Sequence, residues 1–139
     1  MIKMEPLIFI DITKSLDHEQ VKKTAIGASE YQFYSLINKL QHDYKITCYN
    51  KSMGSIVGNV KYKNFEKDLC VDDIHPGITI IITRHLLDFE SKSYQKIKRN
   101  KMYVWWHDYV CSRDSPMSRC PFLVNYKGEK KQKYSAYIQ

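Results

Sequence analysis

The chain has 139 residues, 43% of them hydrophobic, with 22 Lys and Arg against 15 Asp and Glu for a net charge of +7. That length holds one domain with a real core and is short for a complete two-domain enzyme. No apolar run approaches the roughly 20 residues of a membrane span, and the run 7–10, interrupted by Asp11, is too short for a signal peptide.

The basic balance raises nucleic acid as a partner. Much of the excess lies in 92–101 and 127–133, without the interleaved exposed aromatics on which bases stack. Solvated lysines and no nucleic-acid partner are therefore expected. Cys48, Cys70, Cys111 and Cys120 form no CxxC pair, which reads as separate reduced thiols in a cytoplasmic protein. His18, His42, His75 and His85 share no ligand spacing, so no metal is expected.

Taken in order, Leu7-Ile8-Phe9-Ile10 is a buried strand after Pro6, closed by Asp11. Residues 12–26 read as a long, mostly polar connection, of the length that serves as a lid or mobile segment. Phe33, Leu36, Ile37, Leu40 and Tyr44 recur at three and four residues and predict a helix with one apolar face. Ser29-Glu30-Tyr31-Gln32 marks its start as a capping box. A strand over 45–49 follows, then a Gly/Ser loop over 51–58, a weak alternating strand over 59–63 and a helical turn near 64–70.

Gly77-Ile78-Thr79-Ile80-Ile81-Ile82-Thr83 has the nearly continuous apolar run of a strand buried on both faces. It ends in Arg84-His85. Helical spacing (Leu87, Tyr94, Ile97) then leads to Met102-Tyr103-Val104-Trp105-Trp106, ending in His107-Asp108. Strand, helix, strand predicts parallel neighbours, with both polar ends at the carboxyl edge where open α/β sheets bind ligands. Residues 122–126 and 134–138 flank a Lys/Gly-rich turn as a possible hairpin in an otherwise irregular 111–139 tail. The expected fold is α/β: a Rossmann-like doubly wound parallel sheet of five strands in the order 3-2-1-4-5, in a single domain over 1–110.

Three constellations carry chemistry. Gly27-Ala28-Ser29 leads a loop into a helix, where free N–H groups and the dipole suit phosphate; an ordinary capped helix reads the same. In Thr83-Arg84-His85, just past a buried strand, Arg84 suits a carboxylate or phosphate, or a structural tie to Asp88. His107 suits a hydrogen bond to a substrate hydroxyl or a general base, with Asp108 orienting it; a surface His-Asp pair is the alternative.

These residues together resemble the N-terminal domain of GT-B glycosyltransferases of the retaining, family-four type, especially versions in large DNA viruses. The carriers are Gly27-Ala28-Ser29-Glu30 for a Gly-Gly-x-Glu helix entrance, Thr83-Arg84-His85 after an apolar strand, and Trp105-Trp106-His107-Asp108 after the next. The likeness spans about 5–110. It implies half of a GT-B fold, with a glycan acceptor on this domain and a nucleotide-sugar donor held mainly by a second, C-terminal domain. Gly27 would approach the donor phosphates and His107 the donor sugar, with no further cofactor, in the cytoplasm of a host if viral. Ala28 departs from the second glycine and narrows the phosphate space. The donor-site residues of the second domain are absent from these 139 residues, so the domain alone should be inactive or very weak. The alternatives are a non-catalytic glycan- or protein-binding module and, third, a small basic nucleic-acid binder.

Overall fold

The computed structural model describes residues 4–24, 28–83, 87–105 and 136–138. They form an α/β structure around one mostly parallel sheet. In chain order the elements are β1 (Glu5–Ile10), α1 (His18–Val21), α2 (Ala28–Leu40), β2 (Tyr44–Asn50), β3 (Ser55–Val57) and β4 (Val60–Asn64). There follow β5 (Thr79–Thr83), α3 (Lys92–Ile97), β6 (Met102–Trp105) and β7 (Ala136–Ile138).

The sheet order is β3-β4-β2-β1-β5-β6-β7. It differs from the five-strand order expected: a strand is added at each edge, and one edge is antiparallel. Within it, β1 lies between β2 and β5 with Leu7 opposite both Ile46 and Thr79, and β5 pairs with β6 through Ile80 and Met102, all parallel. β4 runs parallel to β2. β3 is antiparallel to β4, and β7 is parallel to β6.

Period-two alternation divides the core between the faces. Leu7, Phe9, Ile46, Cys48, Val60, Tyr62 and Ile81 pack with Val21 of α1 and Phe33, Tyr34 and Ile37 of α2. Ile8, Ile10, Ile80, Ile82, Met102 and Val104 pack on the other face with Leu69, Ile74, Leu87 and with Tyr94 and Ile97 of α3. The strand runs are apolar because both faces are covered.

Several expectations need correction. The polar connection after β1 is not simply an open loop. It contains α1, whose Asp17 N-cap accepts from the N–H groups of Glu19 and Gln20 while Gln20 bonds back to Asp17 N, and it buries His18 and Val21. Ser29 lies inside the first turn of α2 rather than at a cap. Tyr44 belongs to β2, where it pairs with Glu5, and not to the helix. The 51–58 loop contains β3, which turns into β4 through Gly58-Asn59. Gly58 has φ +60°, and among the described residues only Gly54 also has positive φ, as a two-residue turn with glycine first requires. Leu87 is buried ahead of α3, which starts only after its N-cap Ser91. Lys92, Lys98, Arg99 and Lys101 are exposed; the 127–133 run and the 122–126 strand lie outside the described residues.

Candidate functional site at the carboxyl edge

Three neighbouring strands, β1, β2 and β4, finish in a buried Asp or Asn at one edge of the sheet: Asp11, Asn50 and Asn64. Each side chain accepts the N–H two residues on: Thr13 N to Asp11 Oδ1 at 3.0 Å, Ser52 N to Asn50 Oδ1 at 2.9 Å, and Glu66 N to Asn64 Oδ1 at 2.9 Å. Such Asx turns release the backbone from the ladder while satisfying it. They hold three loops in fixed exit directions.

The edge is also knitted laterally. Tyr34 of α2 donates its hydroxyl to Asp11 Oδ2 at 2.7 Å, and Asn50 Nδ2 donates to Tyr34 Oη at 3.2 Å and to the Leu16 carbonyl at 2.9 Å. Thr13 adds a hydroxyl bond to Asp11 Oδ1 at 2.7 Å. Asn64 Nδ2 reaches the Ser52 carbonyl at 3.0 Å. Burial, with Cys48 and Asp11 nearby, pushes the Tyr34 phenol far above its ordinary range, so it is a fixed donor. Burial, and then Asp11, likewise raises the Cys48 thiol; Cys48 is a core residue rather than a nucleophile. Asp11 meets three donors, so its role is to organise the edge.

On the same face, Thr83 ends β5 and pairs with Trp105, the last residue of β6. Thr83 is buried, and its Oγ1 has no hydrogen-bond partner among the described residues. A cavity of about 430 Å³ lies at this edge on the α3 side, lined by Ile12, Phe65, Glu66, Leu87 and Asp88 among others. A larger groove of about 780 Å³ opens at the opposite edge between Leu7, Leu40, Tyr44, Ile78, Ile81 and Tyr103. Size favours the second, but its walls are largely apolar, and strand carboxyl ends are where parallel sheets direct loops and ligands. The carboxyl edge is the better candidate.

A strap of residues 12–24 crosses that edge. The Lys14 carbonyl accepts from Lys51 N at 2.8 Å, Leu16 accepts from Asn50, and α1 is seated by its first residue. His18 N donates to Tyr62 Oη at 2.9 Å, and His18 Nδ1 lies 2.7 Å from the same oxygen. His18 Nε2 is 3.4 Å from Gln41 Nε2. The Gln41 amide orientation is set because its Oε1 accepts from Asn59 N at 3.0 Å and its Nε2 donates to Asn38 at 2.8 Å. Gln41 therefore turns an N–H toward Nε2, which leaves the ring proton on Nδ1 for Tyr62.

Of the residues expected to form a site, Ala28 and Ser29 fall in the first turn of α2. Gly27, Arg84, His85, His107 and Asp108 lie outside the described residues. What the structure shows is the strand ends that precede them. Sequence reading missed Asn50, Asn64 and Tyr34. The available signal was an Asp or Asn closing each of three apolar or alternating runs, two residues before Thr13, Ser52 and Glu66. Among the described residues no three His, Cys, Asp or Glu side chains are grouped to hold a metal ion. No helix among them is long and apolar enough to cross a membrane. Comparison with protein-family models, curated proteins and solved structures found no match.

Proposed function

We propose that this chain supplies the acceptor side of a sugar-transfer site, at the carboxyl edge of a Rossmann-like, doubly wound sheet that forms half of a GT-B fold. One observation carries the reading. β5 and β6 are parallel neighbours with Thr83 opposite Trp105, so the Arg84-His85 and Trp106-His107-Asp108 sequences continue from adjoining strand ends. β1 ends beside them and leads, through the strap, to α2, whose sequence approach is Gly27-Ala28-Ser29. In this reading the helix approach and Arg84 meet donor phosphates, and His85 and Asp108 frame the substrate. His107 donates to or accepts from a reacting hydroxyl as the nucleotide diphosphate leaves, positioning and charge stabilisation supplying the catalysis. In this reading the donor is held mainly by a second domain.

The test is a nucleotide-sugar transfer assay with the chain alone and then with a donor-binding domain supplied. Transfer is expected only in the second case. There His107→Ala should lose about 30- to 1000-fold in turnover, equivalent to about 2–4 kcal/mol of barrier, at an unchanged melting temperature. Unaltered transfer in that variant, or its unfolding, overturns the assignment of His107.

A second reading, a non-catalytic glycan- or protein-binding module, is favoured by one feature. Asp11, the buried carboxyl group among the described residues, has its oxygens occupied by Thr13 and Tyr34 and so serves as framework. Glycan binding without transfer under any domain supplement would select this reading.

A further inference from the structure

The contacts of His18 are unusual for a surface helix of four residues. Its ring is buried, 3% exposed, and lies nearly parallel to Tyr62 at 5.9 Å between centroids. The backbone and ring of His18 both address one oxygen, Tyr62 Oη, so a single phenol takes both polar contacts of His18, beside the apolar packing of Val21. The other ring nitrogen faces the Gln41 amino group, whose direction is fixed by Asn59 and Asn38. We propose that His18 is a proton-operated latch for the strap 12–24: a proton taken from solvent at Nε2 sets two N–H donors, that of His18 and that of Gln41, against each other, and α1 leaves its seat on Tyr62.

The charged groups around the ring do not prevent this. From α1 itself come Glu19, whose Oε1 is 3.9 Å from Nε2, Asp17 and Lys22. From β4 comes the Tyr62 phenol, held protonated by burial and by Cys48, and from α2 the neutral Gln41 and Asn38. Burial lowers the His18 pKa below its ordinary value of 6.5, and the attraction of Glu19 and Asp17 only partly opposes that. Glu19 is itself bonded to Lys22 at 3.3 Å, which divides its charge. The sign follows. A base whose folded pKa is depressed contributes stability fully above about 6.5, and that stability is lost as pH falls below it.

The strap is tied to the carboxyl ends of β1 and β2 through Thr13, Lys14 and Leu16, so freeing α1 leaves its cover over the Asp11–Tyr34–Asn50 network held by those bonds alone. The latch makes the firmness of that cover dependent on acid, whatever the ligand is.

The experiment is amide hydrogen exchange on the full chain from pH 7.5 to 5.5, corrected for intrinsic rates, with β1 amides as the internal reference. Protection of 12–24 should fall across that range, by up to about tenfold, with β1 unchanged. The His18→Asn variant keeps a donor for Tyr62 but does not titrate, and its strap protection should be flat with pH. In the wild-type chain the His18 ring titration, followed by NMR, should share its midpoint with strap opening; this readout holds even if the variant does not fold. Constant strap protection in the wild-type chain overturns the latch. So does a wild-type response retained in His18→Asn, a mismatch of midpoints, or loss of β1 protection in step with the strap.

Discussion

The hydroxyl of Tyr34 shows how much one buried group carries at the carboxyl edge. It joins Asp11, just past β1, to Asn50 of β2 from a helix above both. Tyr34→Phe keeps the ring and its edge-on contact with Phe33 but leaves an Asp11 oxygen without its donor in the core. The expected cost is about 1–3 kcal/mol, read as a lower urea midpoint with an unchanged slope. Asp72 behaves differently because it is only partly buried. Burial works against its charge, but hydrogen bonds from Lys63 and Tyr49 outweigh that and hold its carboxyl below its ordinary range. Its contribution is therefore present above the unfolded-state value, near 4, and is lost as pH falls through the lower folded-state value. Unfolding midpoints should drop between pH 5 and pH 3, and Asp72→Asn should flatten that drop.

At the scale of elements, the β3–β4 hairpin is the piece most exposed to a small change. A Cβ added at Gly58 would stand 2.5 Å from Gln41 Oε1 on a backbone at φ +60°. Gly58→Ala should cost about 1–3 kcal/mol from strain, together with the Gln41–Asn59 bond. Gly54, at φ +105° with its nearest neighbour at 3.6 Å, would meet backbone strain without the Gln41 clash, so Gly54→Ala should also destabilise; parallel thermal melts compare the two. This hairpin also marks the limit of what the chain's pattern reveals. The strands around Ile8, Ile80 and Val104 are legible because burial on both faces demands nearly unbroken apolar runs, and the strand around Ile46 is legible from Ile46, Cys48 and Tyr49 despite Lys45 and Thr47. Ser55-Ile56-Val57 is three residues long with Ile56 72% exposed, so no periodicity announces it; the Val-Gly-Asn-Val turn was the usable sign. α1 is hidden for a similar reason: four residues held by caps and by Tyr62 owe little to amphipathic spacing. The candidate edge was legible as a place, from strand, helix, strand. Which of its Asp and Asn residues are buried was not, since that depends on partners such as Tyr34 and Leu16 that are 16 and 34 residues from Asn50.

For the molecule as a whole, the position of β1 decides more than its six residues suggest. It is bonded on one side to β2, which follows closely, and on the other to β5, which begins only at Thr79. During synthesis the first pairing can form once Asn50 has left the ribosome, with α2 covering one face. The second edge of β1 then stays open, with the backbone of Leu7 to Ile10 unpaired, until Thr83 follows. Open apolar strand edges recruit other chains. The interval between residues 50 and 83 is thus the vulnerable window of biogenesis, and a fragment ending inside it carries the aggregation hazard that the finished sheet has sealed.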